Sequence, residues 1–347
     1  MTVTTVESVG EINFTESLMD DTKAQVDVEA EADNNAKVCK DSTAETTSSE
    51  VKNAAAMMEK DGHEEDDDDT VSFTIVSWNI SSAESSKVAP DPALRAAIAP
   101  QLIREEIMRS QPDVIALQET AYQSFGEKFA TSFGYVSVGS QKALHTSEYV
   151  VLLVKRELAN SAKQISFQSF EMHEIPAVAA IFTLPNRTRI AIASLHLPHT
   201  KEAAPFRQLL CNAIMEQLTS QLCEGVILVG DFNMRDFEDT ATEKLNGGDW
   251  VDAWKEATNS NKKTKFTWNS RENKYHGSDN FSWTCRLDRC YVKSPKVAVK
   301  HFGLIGNRPI DGKEGDYLSD HYGIVVKCIV ASSGAAQQDN EVILLSC

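Results

Sequence analysis

Short apolar runs of strand length recur along this chain, and two longer helical patterns separate some of them. The runs are rich in β-branched and aromatic residues, which favour strands. They lie at 71–80, 114–119, 149–155, 177–184, 189–197, 226–230, 283–292 and 323–330. Because several follow one another without a helix between them, a single doubly wound parallel sheet is disfavoured. The pattern predicts an α/β (α+β) fold, a four-layer sandwich of two packed mixed β-sheets flanked by helices.

Two amphipathic segments are predicted to be helices. In ALRAAIAPQLIREEIMRS (93–110) apolar residues recur at helical intervals, and Pro100 either interrupts the helix or starts its second half. In PFRQLLCNAIMEQLTSQLCEG (205–225) one face is apolar throughout, with Gly225 as the stop signal. A stretch rich in Lys, Asn and Ser at 258–280 is predicted to be an exposed loop.

Acidic residues are concentrated at the N-terminus. Residues 1–70 contain 20 Asp and Glu but only 5 Lys and Arg, so they carry −15 of the formal net charge of −17. A segment of such charge and low hydrophobicity cannot bury enough apolar surface to offset the entropy of ordering. We predict a disordered acidic segment at 1–70, one folded domain at 71–331 and a flexible tail at 332–347.

The cysteines and the N-terminal sequence bear on the compartment. Seven cysteines, an odd number without a Cys-x-x-Cys pair, indicate a reducing environment and disfavour a structural zinc site. The N-terminus lacks the basic start and apolar stretch of a secretory signal, and no run approaches the roughly 18 apolar residues of a membrane span. We expect a soluble monomer of the nucleus, the cytoplasm or both, with no membrane partner.

Polar residues stand at the ends of several predicted strands. Such positions are unfavourable for charged groups unless the groups pair or bind a metal. The residues are Asn79, Glu119, His196, Asp231, Asn233, Asp320 and His321, with Asp288 inside a further strand. Each one alone is consistent with a solvated strand end, a cap or an Asx turn. Their recurrence predicts one shared site.

This set of residues indicates chemistry at phosphorus. Carboxylate and carboxamide oxygens suit a hard cation such as Mg²⁺, and an Asp–His pair can orient an imidazole to stabilise an oxyanion or move a proton. Together they describe metal-assisted displacement in which an acid activates water. Such a reaction needs no Ser or Cys nucleophile. The sequence has no Gly-rich phosphate loop, which disfavours a nucleoside triphosphatase.

The motifs SWNI, LQE, SLHLPH, GDFN, RLDR and SDHYG, in this order over residues 72–330, resemble the endonuclease/exonuclease/phosphatase superfamily. The resemblance implies that residues 71–331 are a catalytic domain and that the enzyme is a phosphodiesterase dependent on Mg²⁺, for which Mn²⁺ could substitute. It further implies that Glu119 ligates the metal, with Asn79 and Asp320 close to the water shell of the metal.

The resemblance also implies roles for the other polar residues. Asp231 would position or deprotonate the attacking water, and Asn233 would hold that water and a phosphate oxygen. His321, oriented by Asp288, would hydrogen-bond the developing phosphorane, while His196 would contact another non-bridging oxygen. The base is either Asp231 or His321. We favour Asp231, because a carboxylate beside a metal-bound phosphate stays ionised at pH 7.

Within the superfamily, the extended motifs VILVGDFNMRD, WVDAW, KFTWNS and RLDRCYV are most similar to the branch that hydrolyses 5′-tyrosyl links to DNA. That similarity implies a DNA-repair enzyme acting on single-stranded or frayed DNA 5′ ends that carry a tyrosyl or peptide adduct. Trp268 and Arg271 are the substrate-binding candidates, because a ring and a guanidinium can stack on and clamp a strand. A solvated loop with Trp268 tucked under it is the alternative.

Three positions depart from that branch. Ser81 stands two places after Asn79, where relatives usually carry Asp, and Asn269 replaces a common Asp after Trp268. His199 makes SLHLPHT more similar to deoxyribonuclease and sphingomyelinase forms.

Two alternatives to the tyrosyl-DNA activity remain. One is another nuclease, phosphodiesterase or phosphatase of the superfamily, of the apurinic endonuclease, RNA deadenylase, sphingomyelinase or inositol phosphatase type. The other is a catalytically inactive binding protein, although its usual signature would be the loss of Glu119, Asp231 or His321, all of which are present.

Overall fold

Two six-stranded mixed sheets form the centre of the computed structural model. The structure describes residues 70–82, 92–122, 128–129, 132–144, 146–170, 174–239, 249–275, 282–310 and 316–332. The predicted disordered segment and tail therefore lie outside the described residues, except for Thr70, where the first strand begins, and Ser332. The described residues all belong to one compact unit of the chain.

Strands form at each of the eight predicted apolar runs, and further strands lie outside those runs. The strands are β1 (Thr70–Asn79), β2 (Val114–Thr120), β3 (Tyr135–Lys142), β4 (Tyr149–Lys155), β5 (Lys163–Ile165), β6 (Ala177–Thr183), β7 (Arg189–His196), β8 (Gly225–Asp231), β9 (Val251–Asp252), β10 (Trp268–Asn269), β11 (Thr284–Cys285), β12 (Asp288–Lys293), β13 (Val297–Ile305) and β14 (Gly323–Ala331). Those outside the predicted runs are β3, β5, β9, β10 and β13. The helices are α1 (Pro92–Met108), α2 (Arg156–Ala159), α3 (Ala204–Thr219), α4 (Ala253–Glu256) and α5 (Lys262–Lys265), and a 3₁₀ turn spans Asp236–Glu238.

The two sheets share one arrangement of strand directions. The order is β13-β14-β1-β2-β4-β3 in the first sheet and β5-β6-β7-β8-β12-β9 in the second. In the first sheet β1 runs parallel to β2 and antiparallel to β14. In the second sheet β8 runs parallel to β7 and antiparallel to β12. In each sheet the carboxyl ends of two central strands therefore lie beside the amino end of a third strand.

Apolar side chains fill three layers of contact. Phe73 of the first sheet packs against Phe182 of the second in the core between the sheets. Ile103 of α1 belongs to the apolar cluster on the outer face of the first sheet, and Leu210 and Ile214 of α3 belong to the one on the second. The predicted four-layer sandwich of two mixed sheets is confirmed. Among the described residues no helix has both the length and the hydropathy needed to cross a bilayer.

The structure corrects two details of the predicted helices. Helix α1 continues through Pro100, because Ala99, Ile103 and Ile107 are fully buried and their packing offsets the missing backbone hydrogen bond. Helix α3 ends at Thr219, six residues before the predicted stop. Gly225 is the first residue of β8, where a Cβ would lie 2.6 Å from Ile190 Cδ1.

Gly230, the glycine of the GDFN motif, is expected to be essential for the packing of β8 on β7. In Gly230→Ala the new Cβ would lie 2.2 Å from the carbonyl oxygen of Leu195, and φ is +145°. We expect the free energy of unfolding to fall by about 4 kcal/mol or more, measured by urea denaturation. Gly134→Ala is the matched control, since φ is +77° but no atom lies within 4 Å of the added Cβ. That control should lose only about 1–2 kcal/mol, and equal losses at both positions would contradict the expectation.

Candidate active site

The polar strand ends predicted from the sequence meet at one edge of the two sheets. The carboxyl ends of the parallel strands β1, β2, β7 and β8 contribute Asn79, Glu119, His196 and Asp231. The antiparallel neighbours contribute Asp288, the first residue of β12, and His321, two residues before β14. Strand direction alone therefore brings together side chains that are up to 242 positions apart in the sequence.

Asn79 joins the two sheets at this edge. Its side-chain Nδ2 donates to Glu119 Oε1 at 2.8 Å and to Asp231 Oδ2 at 2.9 Å. Its Oδ1 accepts the backbone N–H of Ser81 at 3.0 Å, so the amide orientation is set. Asn79 is fully buried. The residue therefore orients two carboxylates without adding a charge of its own.

Glu119 occupies a strained position with an unusual pKa. Its φ of 51° lies in the left-handed region, which a non-glycine residue adopts at some energetic cost, and β2 has a register irregularity against β4 between Leu117 and Thr120. Burial, followed by the nearby carboxylates of Asp320 and Glu148, raises the pKa of Glu119 to about 8. Such crowding of carboxylates is the environment that a bound cation would relieve.

Asp288 and His321 form a buried pair. His321 Nδ1 lies 2.8 Å from Asp288 Oδ2, and His321 Nε2 lies 3.8 Å from Asp231 Oδ2. Burial alone would lower the pKa of the imidazole, but the carboxylates of Asp288, Asp231 and Asp320 raise the pKa of His321 well above its usual value. These carboxylates therefore favour the imidazolium form, whose Nε2–H can donate to an oxyanion.

His196 and Asn233 complete the side of the site that belongs to the second sheet. His196 Nε2 lies 3.6 Å from both Glu119 Oε1 and Asp231 Oδ2, so it faces the centre of the cluster. Asn233 has a left-handed φ of 52°, and its backbone N–H donates to Asp231 Oδ1 at 2.8 Å. Asn233 Nδ2 donates to Leu197 O at 2.9 Å, which ties the loop after β8 to the loop after β7.

The KFTWNS segment positions the Asp288–His321 pair from behind. Thr267 Oγ1 accepts the backbone N–H groups of Leu287 and Asp288, both at 3.0 Å. Trp268 forms a β-bridge with His321, and the two rings meet edge to face with centroids 5.0 Å apart. The prediction of an exposed loop over 258–280 is wrong here, because the segment contains α5 and β10 and Thr267 is fully buried. These tertiary hydrogen bonds outweigh its polar composition.

The remaining predicted residues lie at the margin of the cluster. Asp320 accepts a hydrogen bond from Ser319 Oγ at 3.3 Å. Trp268 stacks on Trp283 with ring centroids 5.6 Å apart, extending the aromatic surface away from His321. Arg271 is exposed, and its Nε donates to Ser282 O at 3.5 Å. Trp268 is therefore in contact with the site, and Arg271 lies on the surface of the same segment.

Several buried polar residues behind the site were missed in the sequence. Gln118 of β2 and Ser194 of β7 join the two sheets, since Gln118 Nε2 donates to Ser194 Oγ at 3.0 Å. A second group is the fully buried ion pair of Arg207 and Glu238. Arg207 stands three residues before Leu210, on the apolar face of its helix, and a charge at such a position could have been recognised as one needing a buried partner.

The residues present fit a hard cation. The ligand atoms of Glu119, His196 and Asp231 lie within 4.8 Å of one another, as do those of Asp231, Asp288 and His321. In the second group the imidazole is already engaged by Asp288, whereas the first group offers two carboxylates and the imidazole of His196 beside the neutral amide of Asn79. Oxygen-rich ligand sets of this kind suit Mg²⁺, Mn²⁺ or Ca²⁺.

Two packed mixed sheets with carboxylates, an Asp–His pair and a fit for a cation at their common edge define a class of metal-dependent hydrolases. A model of the Endonuclease/Exonuclease/phosphatase family matches residues 76–321. The chain belongs to this family, and the predictions of the superfamily and of a hydrolase of its phosphodiesterase type are confirmed.

Similar proteins include tyrosyl-DNA phosphodiesterases. The chain is 25% identical over 268 residues to tyrosyl-DNA phosphodiesterase 2 of Xenopus laevis, covering 74% of this chain and 66% of that protein. It is 25% identical over 260 residues to 5′-tyrosyl-DNA phosphodiesterase of Caenorhabditis elegans, covering 72% of this chain and 65% of that protein. It thus spans just under two thirds of the length of these relatives.

A solved structure shares the fold. The crystal structure of D. rerio TDP2 complexed with a single-strand DNA product matches with a TM-score of 0.57 and 21% sequence identity. The match covers 74% of this chain and 98% of that one.

The raised pKa of His321 is expected to depend on Asp288. In the metal-free protein, an NMR titration should place the pKa of His321 above the usual value of about 6.5, and Asp288→Asn should lower it. Because the folded-state pKa is raised, the charge of His321 adds stability that is full below about pH 6.5 and is lost as the pH rises through the folded value. Asp288→Asn should therefore lose more stability at about pH 6 than at about pH 9.

His301 is the internal control for this titration. Burial, together with Lys327, lowers its pKa, and it belongs to β13 rather than to the site. Its titration should be the same in the variant. A His321 pKa that does not change in Asp288→Asn would contradict the assignment of this pair.

Proposed function

We propose that this protein is a Mg²⁺-dependent phosphodiesterase that hydrolyses 5′-phosphotyrosyl links between protein and DNA. The observation that carries the proposal is the position of the Asp231 carboxylate. Its Oδ2 lies 2.9 Å from Asn79 Nδ2, 3.6 Å from His196 Nε2 and 3.8 Å from His321 Nε2. An acid surrounded by neutral and cationic donors beside a cation site is arranged for attack of water on a phosphodiester.

Glu119 is the proposed metal ligand. Asp320 lies close enough that its carboxylate helps to raise the pKa of Glu119. When bound, Mg²⁺ would neutralise negative charge on the phosphate oxygens. Asn79 orients Glu119 by the hydrogen bond at 2.8 Å. Mn²⁺ has similar ligand preferences and should substitute for Mg²⁺.

Asp231 is the proposed base. The raised pKa of His321 favours the protonated imidazole, which suits it to the developing oxyanion and not to proton abstraction. Asp231 is held by Asn79 on one oxygen and by the N–H of Asn233 on the other. In this assignment Asn233 and His196 hold the water and a second phosphate oxygen.

The assignment of the substrate rests on the aromatic surface and on the relatives. Trp268 and Trp283 stack beside His321, and a flat apolar surface there suits a nucleobase or a tyrosyl ring. The names of both relatives specify tyrosyl-DNA as the substrate. We therefore propose a single-stranded or frayed DNA 5′ end with a tyrosyl or peptide adduct, with Arg271 on the approach. The expectations of a monomer and of a nuclear or cytoplasmic location stay predictions.

Mg²⁺ affinity is expected to depend on pH through Glu119. Because the pKa of this acid is raised to about 8, a proton competes with the metal below that pH. The apparent affinity, measured by isothermal titration calorimetry, should rise by up to about tenfold per pH unit from pH 6 and level off above about pH 8. Glu119→Gln should bind Mg²⁺ far more weakly. An affinity that does not change with pH would rule out Glu119 as the ligand.

The most direct test is hydrolysis of a 5′-phosphotyrosyl oligonucleotide with Mg²⁺. We expect the wild type to release tyrosine, and Asp231→Asn and His321→Ala to lose at least about 100-fold in kcat. Lys155→Met is the control, since Lys155 pairs with Asp113 at the amino end of β2, away from the site. Variants that turn over at the wild-type rate would contradict the roles. If the wild type does not cleave the 5′-phosphotyrosyl oligonucleotide but cleaves abasic DNA, polyadenylate, sphingomyelin or an inositol phosphate, the proposed substrate is wrong.

A further inference from the structure

The guanidinium of Arg207 is enclosed within the protein although it is charged. Arg207 lies in the first turn of α3, and its side chain and that of Glu238 are both 0% exposed. Arg207 Nη2 lies 2.7 Å from Glu238 Oε1, and Nε lies 3.1 Å from Oε2. The pair is therefore bidentate, with both carboxylate oxygens engaged.

The remaining nitrogen of Arg207 reaches the loop that follows His196. Nη1 donates to the carbonyl oxygens of Pro198 and Thr200, at 2.7 Å and 2.6 Å. These contacts hold the loop in a defined position against α3. One side chain thus contacts the loop after β7 and, through Glu238, the segment after β8.

Glu238 continues the connection toward the site. Its Oε1 also accepts the backbone N–H of Arg235 at 3.0 Å, and Arg235 Nη1 donates to the carbonyl oxygen of Asn233 at 2.5 Å. Asn233 Nδ2 in turn bonds Leu197 O at 2.9 Å. These hydrogen bonds connect the loop after β7 with the loop after β8. Because Leu197 and Pro198 are neighbours in the chain, the connections form a ring that includes Asn233.

Stability alone is a poor reason for this pair. Replacing a buried ion pair by apolar residues is often neutral or stabilising, because the charges lose their hydration. A planar, bidentate guanidinium with further donors does, however, set the distance between several backbone segments at once. Asn233 is tied directly into this network, because its backbone carbonyl accepts from Arg235 Nη1 and its Nδ2 donates to Leu197 O.

We propose that Arg207 and Glu238 are a positioning pair that holds the two loops carrying His196 and Asn233 in the geometry that the reaction needs. They act through those residues and do not touch the substrate. A displacement of about 1 Å at a reacting group can cost about 100-fold in rate. This inference rests on the proposed function, because its tests measure the rate of phosphodiester hydrolysis.

The first test separates positioning from metal binding. Glu238→Gln and Arg207→Lys should each lower kcat on the 5′-phosphotyrosyl oligonucleotide by about 10- to 100-fold while KM changes less than about threefold. Mg²⁺ affinity by calorimetry should change less than about threefold, because the proposed ligand Glu119 belongs to the other sheet. Lys155→Met, which breaks an ion pair 2.7 Å long at the opposite edge, should leave kcat unchanged. A parallel loss of Mg²⁺ affinity would overturn the proposal.

The second test uses the double variant Arg207→Met/Glu238→Met, which removes both charges and should fold even where a single variant does not. Circular dichroism should report a folded protein, with kcat still about 10- to 100-fold low. Recovery of the wild-type kcat in this variant would mean that the pair is only structural, and would overturn the proposal.

A second substrate, chosen without reference to the tyrosyl-DNA assignment, tests the positioning pair separately from the proposed function. If the wild type does not cleave the tyrosyl oligonucleotide, the proposed substrate is wrong, and the same variants are compared on bis(4-nitrophenyl) phosphate with Mg²⁺. The positioning pair predicts the same loss of kcat on that phosphodiester, and equal rates for wild type and variants would contradict it.

Discussion

The site depends on one carboxamide that holds two buried carboxylates from different sheets. Asn79 donates to Glu119 and to Asp231 with hydrogen bonds of 2.8 Å and 2.9 Å. Two acids whose ligand atoms lie within 4.8 Å of one another have lost much of their hydration and repel when both are charged, so the shared donor fixes their positions while the raised pKa of Glu119 limits the repulsion. A lysine in place of Asn79 would offset one negative charge and weaken the attraction of the site for a cation. A neutral donor keeps both acids in place and adds no positive charge that would compete with a cation.

Protons on Glu119 and His321 offset part of the negative charge of the cluster. Burial and neighbouring acids raise the pKa of Glu119 to about 8, whereas the acids around His321 raise the pKa of its imidazole. Neighbouring carboxylates thus favour a proton both on Glu119 and on His321, and Asp320 contributes to both shifts. Glu119 would hold a bound cation in its deprotonated form, whereas the Asp288 carboxylate, 2.8 Å from Nδ1, would still favour the proton on His321.

Strand direction explains how much of this could be predicted from the sequence. Apolar runs that end in Asn79, Glu119 or Asp231 are visible without a structure, and parallel strands bring such ends to one edge. Strands β3 and β13 were missed because VSVGSQK and VAVKHFGLI mix polar and apolar residues, being half exposed. Thr267 was assigned to a loop because its structural role consists of two hydrogen bonds to the backbone of residues about 20 positions away. Local composition does not carry such information.

The division of the site between two sheets has a consequence for specificity. His321 precedes a strand of the first sheet but pairs with Asp288 of the second, and Asn79 likewise spans both. A slide of one sheet over the other would break both contacts, and the buried bond from Gln118 to Ser194 opposes it. Because the chemistry is locked into the sheet packing, substrate choice must come from parts that can vary without moving it. The outer part of the segment around Trp268 is such a part, since Thr267 and the Trp268 ring support the Asp288–His321 pair whereas Arg271 lies on the surface.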